Sequence, residues 1–261
     1  KQRGVAFAKT TRPVIGSAVR REVLFVRLDG TRGRTVIWIS GPPGAGKSTL
    51  AASYVEARNY ACIWYQLDPD DADVATFFHY LGHAARKLDD GRARELPAFA
   101  PQYADDIAGF ARRYFRQLFM RAKSPAVLVL DNLHEVSANS PLHAALEAGL
   151  TQIPGHCCVM IVSRTEPPAS LARLRLGGGM VHLGAEDLRI GPDEIAAIAN
   201  LRGQPLSPDV VASLHERTQG WAAGLVLMLE HAKVSGRIAE LPGDATPKVI
   251  FDYLAGEIFD R

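Results

Sequence analysis

Five short apolar runs recur along the first 184 residues of the chain, at residues 35–40, 61–67, 126–130, 158–162 and 180–183. Each run is largely apolar instead of alternating with polar residues, which is the pattern of strands buried on both faces of a sheet. The segments between the runs carry apolar residues at helical spacing, as at Phe77, Leu81 and Ala84. Strands that alternate with helices predict an α/β fold with a parallel sheet.

The pattern changes at Gly184. Beyond it the strand-like runs stop, and segments of helical pattern follow at residues 192–201, 208–218, 221–234 and 246–259. Glycine and proline separate these segments. We therefore expect an α/β domain at residues 1–184 and a small all-α domain at residues 185–245, with a hinge near Gly184.

A glycine- and proline-rich segment follows the first apolar run and matches GxxxxGK[ST], the P-loop pattern, between a predicted strand and a predicted helix. Glycines let backbone N–H groups converge on phosphate oxygens, and the following helix adds the positive end of its dipole. We expect Lys47 to contact the outer phosphates of a nucleotide, Ser48 to ligate Mg²⁺ and Thr49 to bind an inner phosphate. The predicted phosphate-binding residues are Gly41, Pro42, Pro43, Gly44, Ala45, Gly46, Lys47, Ser48 and Thr49.

The third apolar run ends in a carboxylate, Asp131. A P-loop site needs a second oxygen ligand at the Mg²⁺, and a carboxylate at the end of a neighbouring strand supplies one. Hydrolysis also needs a group that orients or deprotonates water. Asn132 can orient water but cannot accept its proton, whereas Glu135 can reach back toward Asp131 and His134 lies close by. For each of these three residues a helix-capping role is an equal alternative.

Polar residues also follow two other predicted strands. Arg164 comes directly after the fourth run, and ligands of open α/β sheets bind beyond the carboxyl ends of the strands. We therefore expect Arg164 to sense the γ-phosphate through paired hydrogen bonds. The acidic residues after the second run lack the spacing of a calcium loop and predict a solvated turn with a helix cap. They are Asp68, Asp70, Asp71 and Asp73.

Composition limits the remaining possibilities. The formal net charge is +2 over 261 residues, which argues against a nucleic-acid surface on this chain. No apolar run approaches the roughly 20 residues that a membrane-spanning helix requires. The three cysteines form no CxxC pair, so we expect a reducing cytoplasm instead of a disulfide framework or a zinc site. The chain starts without methionine and ends within a helical pattern, which predicts a piece of a longer protein.

Several separated motifs together resemble the ATPase module of the signal-transduction ATPases with numerous domains, in the branch typified by the bacterial maltose-regulon transcription activator. Two positions depart from that pattern: Asn132 stands where a second acid is common, and Ala222 stands where proline is common. The motifs that carry the resemblance are the P-loop and residues 11–13, 63–68, 130–134, 162–164, 219–225 and 252–257.

The resemblance implies an ATP/ADP switch that uses Mg²⁺. It implies that Arg12, Pro13 and Val14 border the adenine, and that Gly220, Trp221 and Ala222 close over the nucleotide. Residues 246–261 would begin a truncated winged-helix domain. In such proteins ADP holds a resting monomer, ATP permits self-association of the full-length protein, and slow hydrolysis resets the switch. Contact with DNA would occur only through domains absent from this chain.

Two alternatives stay open beside a transcription-regulating switch with slow ATPase activity. An ADP-locked scaffold that does not hydrolyse ATP is favoured by the amide at Asn132. A P-loop kinase for a small molecule would need an acceptor pocket, and no acceptor-binding motif stands out in the sequence.

Overall fold

The core of the protein is a five-stranded, fully parallel sheet in the order β2-β3-β4-β1-β5. The coordinates are those of a computed structural model, which describes residues 8–16, 18–30, 35–86, 96–121 and 125–235. The strands are β1 (Val36–Ser40), β2 (Ala61–Gln66), β3 (Ala126–Asp131), β4 (Cys157–Ser163) and β5 (Met180–Leu183). All five coincide with predicted apolar runs to within one residue, and the predicted α/β class with a parallel sheet is confirmed.

Helices cover both faces of the sheet. They are α1 (Glu22–Asp29), α2 (Lys47–Ala57), α3 (Val74–Ala85), α4 (Ile107–Met120), α5 (Leu142–Leu150) and α6 (Ala172–Leu176). Because side chains alternate along a strand, Val36 and Trp38 pack on one face of β1 while Ile37 and Ile39 pack on the other. The first face is covered by α3, α4 and α5 and is rich in aromatic rings, and the second is covered by α1 and α2.

Three helices follow the sheet: α7 (Pro192–Leu201), α8 (Pro208–Thr218) and α9 (Ala222–Ser235). They share a small apolar cluster of their own, which includes Ile195, Leu214 and Leu225. We call α7–α9 the helical unit. The domain boundary at Gly184 stays a prediction, and the predicted helix at 246–259 with the winged-helix start at 246–261 lies outside the described residues.

Helix α1 has no counterpart among the predicted elements. Its buried residues Leu24, Phe25 and Leu28 face the sheet, but Val23 and Val26 are 83% and 65% exposed. Apolar residues therefore occur on both sides of this short helix, and the helical period is lost in the sequence. The helix nevertheless matters for the site, because it starts directly after the segment that borders the nucleotide cavity described below.

Candidate nucleotide-binding site

The segment between β1 and α2 forms a tight loop that opens toward the start of α2. Gly44 and Gly46 have φ angles of +72° and +79°, a region that side-chain-bearing residues rarely adopt. Helix α2 begins at Lys47, so its first backbone N–H groups point into the loop. This arrangement of free N–H groups at a helix N-terminus suits an anion.

Lys47 is folded back onto its own loop. Its Nζ donates to the carbonyl oxygens of Gly41 and Pro42, each at 2.8 Å, and the side chain is buried. Burial and the nearby Arg164 lower the pKa of Lys47, while Asp131 acts in the opposite direction. The ammonium group is thus bound to two backbone carbonyls of the loop and not to a carboxylate. It can leave these carbonyls and bind a phosphate instead.

Ser48 and Asp131 are brought into direct contact. The Ser48 hydroxyl donates to Asp131 Oδ1 at 3.0 Å, and the Asn132 N–H donates to the same oxygen at 3.0 Å. Burial raises the pKa of Asp131, and these hydrogen bonds together with Lys47 oppose the rise. A hydroxyl and a carboxylate are hard oxygen ligands of the kind that Mg²⁺ prefers, so this pair fits the predicted metal position.

The turn after β3 carries three polar residues, and two of them, His134 and Glu135, approach Arg164. Asn132 adopts a left-handed conformation with φ +63° and lines the cavity described below. The Arg164 N–H donates to His134 Nδ1 at 3.3 Å, and His134 Nε2 lies 3.1 Å from Glu135 Oε1 without the alignment of a hydrogen bond. Burial and Arg164 lower the pKa of His134. The Glu135 carboxylate lies 3.9 Å from Arg164 Nη2 and does not line the cavity.

A cavity of about 670 Å³ opens above the loop, a volume within the usual range for small-molecule sites. Its phosphate end is formed by P-loop residues together with Asn132, His134 and Arg164. Its other end is largely apolar and is formed by the segment before α1, by Ile190 and by the helical unit. The residues at that end include Pro13, Val14, Ile15, Ile190, Ile198, Ala222 and Val226.

The structure brings together most of the predicted site residues, but not all of them. Arg12 does not line the cavity, because its guanidinium pairs with Glu56 at 3.3 Å. Gly41 and Pro42 face Lys47 through their carbonyls, and Gly220 and Trp221 also lie outside the lining. The contacts predicted between these residues and a nucleotide stay predictions.

Trp221 and the start of α9 contact the loop itself. The indole Nε1 of Trp221 donates to the Pro43 carbonyl at 3.0 Å, and the Ala223 N–H donates to the Gly44 carbonyl at 2.9 Å. A Cβ at Gly44 would lie 2.5 Å from the Ala223 side chain. The absence of a side chain at Gly44 therefore permits the close approach of α9 to the P-loop.

Two cavity residues carry no sequence signal. Arg21 and Glu194 line the cavity and form a two-point ion pair, with Nε–Oε1 at 2.8 Å and Nη2–Oε2 at 3.1 Å. Arg21 also donates to the carbonyls of Leu188 and Arg189 at 2.8 and 2.7 Å. We call Arg21, Glu194 and these two carbonyls the Arg21 clasp. Glu194 also caps the start of α7 locally, since its Oε2 accepts from the Gly191 N–H at 3.1 Å. No local pattern pairs it with Arg21, so only the three-dimensional structure brings these two side chains together.

A parallel α/β sheet with a glycine loop between β1 and α2 and an Asp131 carboxylate at the end of β3 defines a P-loop nucleotide-binding protein. A sequence model of the family described as "Nephrocystin 3, N-terminal" matches residues 21–164, more than half of the chain. The chain belongs to this family.

Curated relatives agree with the predicted branch. The HTH-type transcriptional regulators MalT of Yersinia enterocolitica and Serratia proteamaculans are 29% and 28% identical to the chain over 97% of its length. The matched region is 29% and 28% of those relatives, so the chain spans less than a third of their length.

Solved structures agree in fold. A Signal Transduction ATPase with Numerous Domains that carries a tetratricopeptide repeat sensor, from Pyrococcus horikoshii, matches with a TM-score of 0.63 and 18% identity over 97% of this chain and 34% of that one. A Walker-type ATPase of Pyrococcus abyssi matches with a TM-score of 0.52 and 11% identity over 95% of this chain and 77% of that one. The resemblance to the signal-transduction ATPases and their MalT branch is confirmed. None of the described helices has the length and apolar character needed to cross a membrane.

Proposed function

We propose that this chain is the ATP/ADP switch module of a larger regulatory protein, with slow ATP hydrolysis. The observation that carries the proposal is the composite cavity: its phosphate end belongs to the α/β part and much of its apolar end belongs to the helical unit. A ligand in such a cavity contacts both parts, so its chemical state biases their arrangement.

Nucleotide binding follows from the charge distribution of the cavity. The N–H groups at the start of α2 and the Lys47 ammonium attract the phosphates, and Lys47 exchanges its two carbonyl partners for phosphate oxygens. The apolar end accepts the base. Ser48 and Asp131 would hold Mg²⁺, which neutralises phosphate charge when bound.

Hydrolysis breaks the bond between the γ-phosphorus and the oxygen that bridges the β- and γ-phosphates, and water supplies the new oxygen. Asn132 lies at the phosphate end and orients this water through its amide. Arg164 stabilises the charge on the γ-phosphate. His134 accepts the Arg164 N–H and thereby fixes the backbone of that arginine next to the turn after β3.

A second function, an ADP-locked scaffold without hydrolysis, is supported by one specific observation. The residue after Asp131 is an amide, and the nearest carboxylate, Glu135, faces His134 and Arg164 instead of the cavity. In that case no general base would stand beside the water. The two functions share nucleotide binding and differ only in turnover.

The switch would act through the rest of the protein. The MalT relatives are named as transcriptional regulators with a helix-turn-helix, so we propose that self-association in the ATP state controls transcription through segments outside this chain. Location in the cytoplasm belongs to the same proposal.

The test combines mass spectrometry of the copurifying nucleotide with calorimetry and a phosphate-release assay. We expect bound ADP, Mg²⁺-dependent affinity for ATP, and slow release of phosphate. Bound ADP without any phosphate release would favour the scaffold. Failure to bind either nucleotide would refute both functions.

A further inference from the structure

Three polar side chains meet at the ends of neighbouring strands, outside the nucleotide cavity. The Ser40 hydroxyl donates to Glu166 Oε1 at 2.7 Å and lies 2.7 Å from His182 Nε2, and that nitrogen lies 3.1 Å from Glu166 Oε2. Ser40 is the last residue of β1, His182 is on β5, and Glu166 follows β4. None of the three lines the nucleotide cavity.

Serine, histidine and glutamate also compose hydrolase triads, but this cluster lacks the geometry of one. A nucleophilic serine needs a histidine nitrogen that accepts its proton, with the other ring nitrogen held by the acid. Here both Ser40 Oγ and the Glu166 carboxylate approach the same nitrogen, Nε2. Since the Ser40 proton goes to Glu166, Nε2 must carry the proton that is shared with them. Ser40 is also 0% exposed and cannot reach a substrate.

The cluster instead fixes the loop that carries Arg164. This loop leaves β4 and passes the end of β1, which lies between β4 and β5 in the sheet, before the chain enters α6. Two side chains of β1 hold it: Trp38 Nε1 donates to the Thr165 carbonyl at 3.0 Å, and Ser40 donates to Glu166. His182 adds the contact from β5.

Arg164 therefore lies between two attachments. On one side its N–H donates to His134, and on the other side its two following residues are fixed to β1 and β5. Its own side chain is 52% exposed and lies 3.9 Å from its nearest carboxylate, Glu135. Among the described residues the guanidinium thus has no tight partner of its own, and its position depends on the backbone that carries it.

We propose that Glu166 is a positioning residue for Arg164, held by Ser40 and His182 at the base of the P-loop. Strand β1, which leads into the P-loop, thereby also fixes the position of Arg164, the arginine that contacts the γ-phosphate. This inference rests on the proposed function, since it requires that Arg164 distinguishes ATP from ADP.

The test compares triphosphate and diphosphate affinity in the 261-residue chain. The ligands are MgADP and the Mg²⁺ complex of a non-hydrolysable ATP analogue, measured by calorimetry. For Glu166→Ala we expect roughly tenfold weaker binding of the triphosphate, the equivalent of about one charge-assisted hydrogen bond, and unchanged binding of MgADP. Glu166→Gln keeps an acceptor for Ser40 and should recover part of the loss.

Three further variants complete the design. Arg164→Ala should show the same selective loss, and Arg164→Ala combined with Glu166→Ala should bind the triphosphate no more weakly than Arg164→Ala alone. Glu147→Ala is the matched control, because Glu147 also accepts from a serine hydroxyl, that of Ser170, and does not line the nucleotide cavity. It should change neither affinity.

The outcomes separate this inference from the proposed function. Equal loss of both ligands in Glu166→Ala, in step with a lower melting temperature, would make Glu166 merely structural and overturn the inference. A selective loss in Arg164→Ala but none in Glu166→Ala would overturn it while the proposed function stands. No selective loss in Arg164→Ala would also overturn it. Failure of the wild-type chain to bind either ligand would refute the proposed function itself.

Discussion

At the scale of single residues, the contacts of Lys47 separate its role in binding from any role in folding. The ammonium donates to two loop carbonyls, and within the described ranges it forms no hydrogen bond or ion pair with a side chain. We predict that Lys47→Ala keeps the melting temperature and weakens ATP and ADP binding by roughly 10- to 100-fold, the cost of a lost charged hydrogen bond. Lys233→Ala, an exposed lysine on α9, is the control. Unchanged affinities by calorimetry would contradict the P-loop assignment.

Asp131 gives a prediction in which stability and ATP hydrolysis do not fall together. Burial raises the pKa of its carboxyl, which means that the folded state disfavours the charged form. The carboxylate therefore lowers stability at neutral pH, and the free energy of unfolding should rise as the pH falls through the raised pKa toward the ordinary value of 3.8. Asp131→Asn keeps an oxygen that can accept from Ser48 and from the Asn132 N–H.

We accordingly predict that Asp131→Asn unfolds at the same temperature as the wild type or higher, at pH 7 and without nucleotide. It should lose Mg²⁺-dependent hydrolysis, because the metal matters most for the γ-phosphate. Affinity for ADP in the absence of Mg²⁺ should remain. If that affinity disappears together with hydrolysis, Asp131 is structural and not a metal ligand.

Asn132 and Glu135 are competing candidates for the group that handles water. An amide orients water but removes a general base, whose contribution is roughly 10²–10⁴-fold. We predict slow phosphate release in the wild type and faster release in Asn132→Asp, while Glu135→Gln changes little because Glu135 faces His134 and Arg164. The opposite result, no gain in Asn132→Asp and loss of activity in Glu135→Gln, would make Glu135 the base.

At this scale the sequence predicts the contacts of residues that share one motif or end one strand. It does not predict contacts between residues that are far apart in the chain and share no motif. Lys47 and Ser48 lie in one contiguous motif, and Asp131 ends an apolar strand, so the sheet brings them together as expected. Asp71 shows the limit. It was expected in a solvated turn, but it is 0% exposed and bonds the Tyr65 hydroxyl and Lys9, a residue 62 positions earlier in the chain. The residues around Asp71 in the sequence therefore do not reveal that it is buried and paired with Lys9.

At the scale of elements, the contact between α9 and the P-loop is the point most open to test. Trp221→Phe keeps an aromatic ring beside Gly44 and removes the indole N–H that donates to Pro43. One net hydrogen bond is worth about 1 kcal/mol, so we predict roughly fivefold faster release of ADP, measured by stopped-flow fluorescence with a labelled nucleotide.

A pair of glycine variants provides the comparison for this contact. Gly44→Ala places a Cβ 2.5 Å from Ala223 at a φ of +72°, and we expect a larger increase in the ADP release rate than in Trp221→Phe. Gly155→Ala meets nothing within 4 Å and should leave the rate unchanged. If Trp221→Phe and Gly155→Ala release ADP at the same rate, α9 does not hold the loop.

Elements also differ in how far the sequence predicts them. The strands are apolar on both faces, so their pattern survives whatever packs against them, and the predicted runs match β1 to β5. Helix α1 is short and carries exposed valines on its outer side, which removes the contrast on which a helical period depends. The helix is therefore identified by its packing against the sheet and not by a pattern in its own sequence.

At the scale of the whole molecule, the cavity is closed by contacts between distant parts of the chain. The Arg21 clasp joins the start of α1 to the segment before α7 and to Glu194 on α7, across 173 positions of sequence. Arg21 lies beside the residues that form the apolar end of the cavity. The clasp thus connects the N-terminal residues of the apolar end with the helical unit, and it should resist their separation.

The last prediction follows from the number of contacts that Arg21 makes. Arg21→Ala removes two charged contacts to Glu194 and leaves the carbonyls of Leu188 and Arg189 without this donor. Glu194→Gln weakens the ion pair but keeps both carbonyl contacts and an oxygen that can accept from the Gly191 N–H. We predict faster ADP release in both variants, with a larger effect in Arg21→Ala, and a double variant that is no faster than Arg21→Ala, because the partners act as one unit. Arg27→Ala is the matched control: Arg27 also joins α1 to the linker between β5 and α7 (residues 184–191), through Asp187, but it is half exposed and lies outside the cavity. A surface pair of this kind contributes about 0–1 kcal/mol, so its effect on release should be small. If Arg27→Ala accelerates release as much as Arg21→Ala, general loosening between α1 and the linker, and not the clasp at the cavity, controls how long the nucleotide stays bound.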